Sequence, residues 1–477
     1  MQPDIPSTSR AERAAAPSDA GDLLSRVQRA HQLVDTGDAQ QALLLADALI
    51  ADNPELGRAY AARARALRKL ARPVESLSAW QAAVNVDPWR ARFRLGLGHA
   101  LAATGRVRAA CASYEQAAGL APDDIGVCRT ASLFLLQAGN PVAAARLLRT
   151  IGAAAGADDA MRAETRLAVT IIDEGRRIEP VLRLALAKRD PGRLADVLAA
   201  TPPDLLQQDE TLLGRLATMA RFVPRAALAE RPRWDPRRVA GRSWPVVEAH
   251  FKGHFGDRVN AVVDSLNQVA RLQGGVARAQ RASGAAGADR AADDRVRALV
   301  AGARAIRERD ALSWTVLDPI GWECRVRYFH ALMNADQPAV WPGRFKPLPN
   351  KVKGNRAEPR SRPSEVAGTV RAFADRALHG ASHPLVRAVL CMYFFAKLHA
   401  FFDGNGGMGR FFASAELVAA GWGPLIVPDA LREEINVAIR RVHRSDEIDG
   451  LVDVLAKALD WRDAFLDELG AAAVSRP

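Results

Sequence analysis

Twelve consecutive residues, His399-Ala400-Phe401-Phe402-Asp403-Gly404-Asn405-Gly406-Gly407-Met408-Gly409-Arg410, bring together three chemistries. His399 is a side chain that can take a proton from a hydroxyl near neutral pH. Asp403 is a carboxylate of the kind Mg²⁺ accepts, since that ion binds one or two carboxylates and otherwise phosphate oxygens and water. Gly404, Gly406, Gly407 and Gly409 allow backbone angles closed to other residues, so the chain can turn its N–H groups toward one anion. Arg410 adds a cation suited to a terminal phosphate.

The flanking residues must position these groups. Pro384 suits the first turn of a helix, and the apolar positions from Leu385 to Leu398 keep a helical face, which places His399 near that helix's C-terminal end. Asp403 to Gly409 are expected to form a tight loop. A second helix should begin near Arg410 and end at Gly421, which can cap it. A glycine loop feeding a helix N-terminus is a natural diphosphate site.

The run resembles the signature of the Fic family, H-P-F-x-[D/E]-G-N-G-R-x-x-R, and His399, Phe401, Asp403, Gly404, Asn405, Gly406 and Arg410 match it as they stand. His383-Pro384 opens the preceding helix as in that family. Gly343-Arg344-Phe345-Lys346 through Lys353 resembles its β-hairpin flap, which docks a target peptide by strand addition. The resemblance covers about residues 310–460. It implies that His399 deprotonates a Ser, Thr or Tyr hydroxyl of a target protein, which attacks the α-phosphate of ATP and becomes AMP-modified. It further implies Mg²⁺ on Asp403, phosphates cradled by Asn405 and the backbone of Gly404, Gly406, Gly407 and Gly409, a charge contact from Arg410, and Phe401 as the loop's anchor in the core.

Three positions depart from the pattern. Gly407 stands where the signature has its first Arg, Ala400 where it has Pro, and Ile435 where many AMP-transferring members have a Tyr near the nucleotide. These departures keep other donors open, giving UMP or phosphocholine transfer, and also a non-catalytic adaptor with a degenerate domain. Many Fic proteins carry an inhibitory helix with [S/T]-x-x-x-E-[G/N]. Thr170-Ile171-Ile172-Asp173-Glu174-Gly175 fits that pattern, and the resemblance implies that Glu174 would pair with Arg410.

Farther upstream the chain repeats. Pro54, Pro88 and Pro122 lie 34 residues apart, and Gly37, Ala71, Gly105 and Gly139 keep the same period. Small residues such as Gly98 and Ala110, aromatics such as Trp80 and Tyr114, and a terminal Pro describe tetratricopeptide (TPR) repeats. Helical hairpins of that size bury their apolar faces only by stacking, so units at about 23–56, 57–90, 91–124 and 125–156 should form a solenoid that selects the target.

The expected organisation is all-α apart from the short flap. It comprises a disordered leader over 1–21, repeats over 22–156, a helical linker over 157–245 holding the possible inhibitory helix, and a catalytic domain over 246–465. Met161 to Ile178 should form one long helix. Pro224, Pro232, Pro236 and Pro245 mark a boundary, Gly274 to Ala288 a flexible loop, and Pro347 and Pro349 forbid helix within Arg344–Lys353.

Bulk composition narrows the function classes. The 477 residues carry a net charge of +12, mostly from scattered Arg, with no block of like charge, so a nucleic-acid binder is not expected. Cys111, Cys128, Cys324 and Cys391 form no C-x-x-C pair, which suits a reducing compartment and argues against disulfides or zinc. His250 and His254 stand four apart without the Glu of a metalloprotease helix. The most apolar run, Val386 to Phe402, is broken by Arg387, Lys397 and His399, so no membrane span is expected. A cytoplasmic location follows, and the polar leader also suits a bacterial effector exported without a cleaved signal.

Overall fold

Four residues spaced 34 apart turn left-handed and fold the N-terminal chain into hairpins. They are Gly37, Ala71, Gly105 and Gly139, with φ of 98°, 57°, 76° and 79°. Each joins one helix pair: α1 (Pro17–Thr36) to α2 (Ala39–Asp52), α3 (Gly57–Lys69) to α4 (Pro73–Val86), α5 (Ala91–Ala103) to α6 (Val107–Leu120), and α7 (Ile125–Gln137) to α8 (Pro141–Ala153). Pro73 and Pro141 occupy first turns, where a missing N–H costs nothing. Asp38, Asp124 and Asn140 cap their helices by accepting the N–H groups of Gln41, Val127 and Ala143.

The structure is a computed structural model that describes residues 17–154, 156–188, 190–224, 318–335, 337–349 and 360–471. Two compact units divide the chain, Met1–Arg166 and Leu167–Pro477. In the first, small residues pack against aromatic ones both within a hairpin and between consecutive hairpins. A Cβ on Gly98 would come within 2.5 Å of the Tyr114 ring, and one on Gly96 within 2.5 Å of Trp80. The helical repeats are those expected of a TPR-like solenoid, and α1 starts inside the segment expected as leader.

The boundary between the units falls within α9 (Asp159–Lys188), which runs well beyond the long helix expected over Met161–Ile178. From Ile178 onward, the stretch expected as a linker contributes to the core of the second unit. Ile178, Leu182 and Ala185 of α9, Leu194 and Leu198 of the short turns that follow it, and Leu213 and Leu216 of α10 (Glu210–Met219) are buried with Trp322 and Val326 of α11 (Pro319–Met333). The same core takes in α12 (Pro363–Phe373), α13 (Pro384–Leu398), α14 (Asn405–Ala419), α15 (Asp429–Ser445) and α16 (Asp449–Ala471). α13 lies at its centre and is buried on nearly every side, which explains its almost unbroken apolar sequence. Phe394 and Phe395 of α13 stack on Phe373 of α12 and Phe412 of α14, with ring centroids 3.9 and 5.1 Å apart.

Among the described residues the fold is all-helical, with no strand. Residues 343–349 run as irregular chain, and 350–353 of the expected β-hairpin flap lie outside the described residues. The Pro-rich boundary beyond Pro224, the loop 274–288, His250 and His254 lie outside them too. All four cysteines are free thiols, and no described helix is long and apolar enough to cross a membrane.

Ala71 is the one hairpin turn of the four whose left-handed angle is taken by a residue with a Cβ, an arrangement that costs about 1 kcal/mol. Ala71→Gly should therefore stabilise the full chain by about 0.5–1 kcal/mol, after the opposing gain in unfolded-state entropy. Gly105→Ala, whose Cβ would meet open space, should cost about 0.5–1 kcal/mol by the same balance. Urea unfolding measures both, and a loss of stability in Ala71→Gly or a gain in Gly105→Ala would contradict left-handed turns.

Candidate active site

α13 stops at His399, which adopts φ 50° and ψ 54° while its N–H still reaches Phe395 O at 3.3 Å. Gly404, at φ 78°, turns the chain left-handed a second time and caps α14. Between these two turns the chain reverses direction, so α13 and α14 pack side by side with the loop at their shared end. The second helix starts at Asn405, earlier than the expected Arg410, because Gly404 supplies the reversal on its own. Gly406, Gly407 and Gly409 are consequently helical.

Asn405 holds the loop closed. Its Oδ1 accepts the Phe401 N–H at 3.0 Å, its Nδ2 donates to Phe401 O at 2.9 Å, and the same Nδ2 lies 3.2 Å from His399 Nδ1. Phe401 is fully buried, and its ring lies parallel to that of His330, centroids 3.6 Å apart and 4° between planes. Phe401 thus anchors the loop as expected of an aromatic at that place.

His330, on α11, was not indicated by sequence. Its Nδ1 accepts the Gly343 N–H at 2.9 Å, which leaves Nε2 protonated to donate to the Asp403 carbonyl at 3.0 Å. One buried ring therefore ties the first residue of the expected flap to the loop after His399. Burial holds its pKa down to about 4, so it remains neutral in this role. Asn334, one turn later, donates Nδ2 to His330 O at 2.8 Å. A histidine inside an apolar helical run carries no spacing signal toward a motif some seventy residues away, so only the fold reveals the contact.

His399 is pushed to about 4 as well, first by burial, then by the positive charges of Lys346 and Arg360. Asp403 and a hydrogen bond with the Phe401 backbone oppose that shift. The imidazole is neutral at pH 7 and able to accept a proton. Asp403 is exposed, with Oδ1 accepting the Gly404 N–H at 2.7 Å. Arg410 and Gly406 are exposed on the same side of the first turns of α14, with an Arg410 guanidinium nitrogen 3.7 Å from the place a Gly406 Cβ would take.

The first N–H to bond within α14 is that of Met408, to Gly404 O at 3.0 Å. By helix geometry the N–H groups of Asn405, Gly406 and Gly407 have no acceptor inside the helix and can face an anion, aided by the positive end of the dipole. Gly409 lies deeper. A Cβ there would come 3.2 Å from Met392 Cα and 3.3 Å from Met392 O, so this glycine lets α13 and α14 approach.

Glu174 is buried. Its carboxylate takes both short contacts of Arg327 NH2, at 3.1 and 3.2 Å, and a hydrogen bond from Thr201 Oγ1 at 3.2 Å. Its partner here is Arg327, where the sequence pattern implied Arg410. Ile435 is buried within the core of the second unit.

The residues 325–417 match the Fic/DOC family. Among solved structures, the chain is similar to Fic-1 from C. elegans at 13% identity over 83% of this chain and 92% of that one, with a TM-score of 0.29. A variant of the same C. elegans protein gives 15% identity over the same shares, with a TM-score of 0.30. The Naa15/Naa10 complex bound to HypK-THB gives 12% identity over 94% of this chain and 65% of that one, with a TM-score of 0.30. No curated protein sequence matches the chain. Over residues 325–417 this chain therefore carries a Fic/DOC-family domain, preceded by TPR-like helical repeats.

Proposed function

We propose that this chain is a protein adenylyltransferase, moving AMP from ATP to a Ser, Thr or Tyr hydroxyl of a target protein. Fic-domain proteins are in general transferases of nucleotide-linked groups. The observation that best supports AMP transfer is the pairing of a neutral His399 with an exposed carboxylate, Asp403, at the open N-terminus of α14.

The residues fit a nucleotide accompanied by Mg²⁺. Among the described residues no group of three or more His, Cys, Asp or Glu side chains could enclose a metal. Mg²⁺ needs no such cage, because one carboxylate with phosphate oxygens and water completes its shell. Asp403 would hold it, and when bound it would supply positive charge to the α- and β-phosphates. The N–H groups of Asn405, Gly406 and Gly407 would face phosphate oxygens, and Arg410 would neutralise the terminal phosphate.

In the reaction, His399 takes the proton of the target hydroxyl as its oxygen bonds to the α-phosphorus. The bond from that phosphorus to the bridging oxygen breaks, AMP stays on the target, and pyrophosphate leaves. Such chemistry rests on alignment and charge, which the Asn405 clamp and the helix N-terminus provide. The repeats would recruit the target protein. No nucleic acid or membrane takes part in this reading.

Gly407 favours a second reading. A side chain that would touch the donor's phosphates is missing there, and Ile435 is buried in the core. Transfer of UMP from UTP, or of phosphocholine from a CDP-linked donor, would suit an altered donor pocket. A target-binding adaptor without catalysis would suit it as well.

Incubating the purified chain with Mg²⁺, a lysate and labelled ATP should label the chain itself or a lysate protein, and His399→Ala should abolish the signal. If ATP, UTP, GTP and CDP-choline all fail to give His399-dependent labelling, the transferase reading is lost.

The acid side of the pH profile follows from His399. A base must be unprotonated to act, so with a pKa near 4 kcat/KM should hold down to about pH 5 and fall as pH drops through about 4. An acid limb in kcat/KM centred at 6.5 would show an imidazole free of the burial and positive charge described.

Gly407→Arg tests the donor. A Cβ at 407 would meet only Met333 Cε at 3.2 Å, the mobile end of a thioether, so the arginine can be accommodated. A restored charge-assisted phosphate contact, worth about 1.5–3 kcal/mol, should raise labelling from ATP by about tenfold or more. An unchanged rate with ATP would turn the assignment toward the other donors.

A further inference from the structure

His399 holds a backbone conformation that a residue with a Cβ adopts at a cost, and such conformations persist only where the surroundings over-determine them. Its own N–H contributes a long bond, 3.3 Å, to Phe395 O. The carbonyls on either side of it are held by a single residue. Lys346 donates its backbone N–H to Ala400 O at 2.9 Å and its ammonium to Leu398 O at 3.2 Å. Lys346 is fully buried, although the sequence placed it in a segment expected to receive target peptides.

The neighbours of Lys346 brace it. Phe345 leans on Phe401 with centroids 5.4 Å apart, and the guanidinium of Arg327 lies 3.7 Å from the centroid of the Phe345 ring. Gly343 is fixed to the loop through His330. Segment 343–346 is thus bonded to the motif loop at both ends, and Lys346 is the part that reaches the histidine's flanks.

From this geometry we infer that Lys346 is a positioning residue for His399, gripping the carbonyls before and after the histidine so that its imidazole stays aimed for proton transfer. The inference rests on the transferase reading for its kinetic consequence, but not for its structural one. The ammonium does two things at once. It satisfies a last-turn carbonyl of α13, and it sets a positive charge beside the imidazole, which keeps that ring neutral. The charged groups acting on His399 are Lys346 and Arg360, which oppose its protonation, and Asp403, which favours it. Lys346 itself is held down to about 7 by burial and by Arg360, with Glu365 opposing, so it carries its charge through the mildly acidic range.

Lys346→Met keeps the length and the backbone N–H and removes the ammonium; Lys346→Arg keeps a donor and a charge. In the full chain, Lys346→Met should lower kcat for labelling tenfold or more with KM for ATP within threefold of the native value, and Lys346→Arg should recover most of that loss. A kcat for Lys346→Met within threefold of native, or no recovery in Lys346→Arg, would overturn the inference. A second readout needs no activity: the His399 ring resonance in ¹³C-histidine-labelled protein, assigned by its loss in His399→Ala. It should show no titration down to about pH 5 in the native chain and Lys346→Arg, and move toward a higher midpoint in Lys346→Met. An unmoved resonance in Lys346→Met overturns the positioning role even if no donor is ever found, whereas failure of labelling in the native chain touches only the transferase reading.

Discussion

Everything at the site depends on how closely α13 and α14 approach. At Gly409 even a methyl group would be crowded, its carbon 3.2 Å from Met392 Cα, so the backbone of α13 would have to give by a few tenths of an ångström. With the two helices locked at that spacing, the chain between them must reverse in the few residues from His399 to Gly404. Only two left-handed turns accomplish this, one at Gly404, where glycine accepts it freely, and one at His399, where it is strained. The histidine is therefore presented rigidly at a helix end, and the same reversal leaves the first N–H groups of α14 pointing outward. Base and anion cradle are two consequences of one packing contact.

The segment that grips His399 is braced by charges in places where sequence would lead one to expect apolar side chains. Arg327 is fully buried between Glu323 at 2.7 Å and Glu174 at 3.1 Å, and Glu323 is shared with Arg371 at 2.5 Å. Pairs of this kind add little net stability over an apolar core, but losing one partner costs about 3–5 kcal/mol because the other charge is stranded. They fix register. Through Arg327 over the Phe345 ring, the network joins α9, α11 and α12 to the segment that grips His399. Glu174 therefore acts in this structure within a buried scaffold.

What could be read from the sequence is what periodicity and punctuation encode. The 34-residue spacing located every hairpin turn of the repeats, including Ala71, because a turn forced by stacking is left-handed whatever residue occupies it. Pro384 and the apolar face mark out α13. The start of α14 was misplaced because glycines read as loop, yet a helix tolerates them where neighbours crowd, as at Gly409. His330 and Lys346 could not be found by pattern. Their partners are backbone carbonyls and an N–H, namely Asp403 O, Leu398 O, Ala400 O and Gly343 N, and such partners leave no mark on residue identity.

A base with a pKa near 4 is always available at pH 7 but accepts a proton weakly, and the origin of its depression bears on this. Burial is fixed by the fold, whereas the contribution of Lys346 and Arg360 depends on what else lies near them. On the proposed reading, nucleotide phosphates at the N-terminus of α14 would bring negative charge beside the same imidazole. Phosphates of that kind offset the two cations and favour the protonated ring, so the histidine becomes a stronger base with the donor in place. The base would be weak where it has nothing to do and strengthened where it acts. Gly407 bears on the same balance, because an arginine there would add a third cation near those phosphates and dilute their effect on the ring. The missing arginine can thus leave donor binding weaker and proton acceptance stronger, two opposing effects set by one side chain.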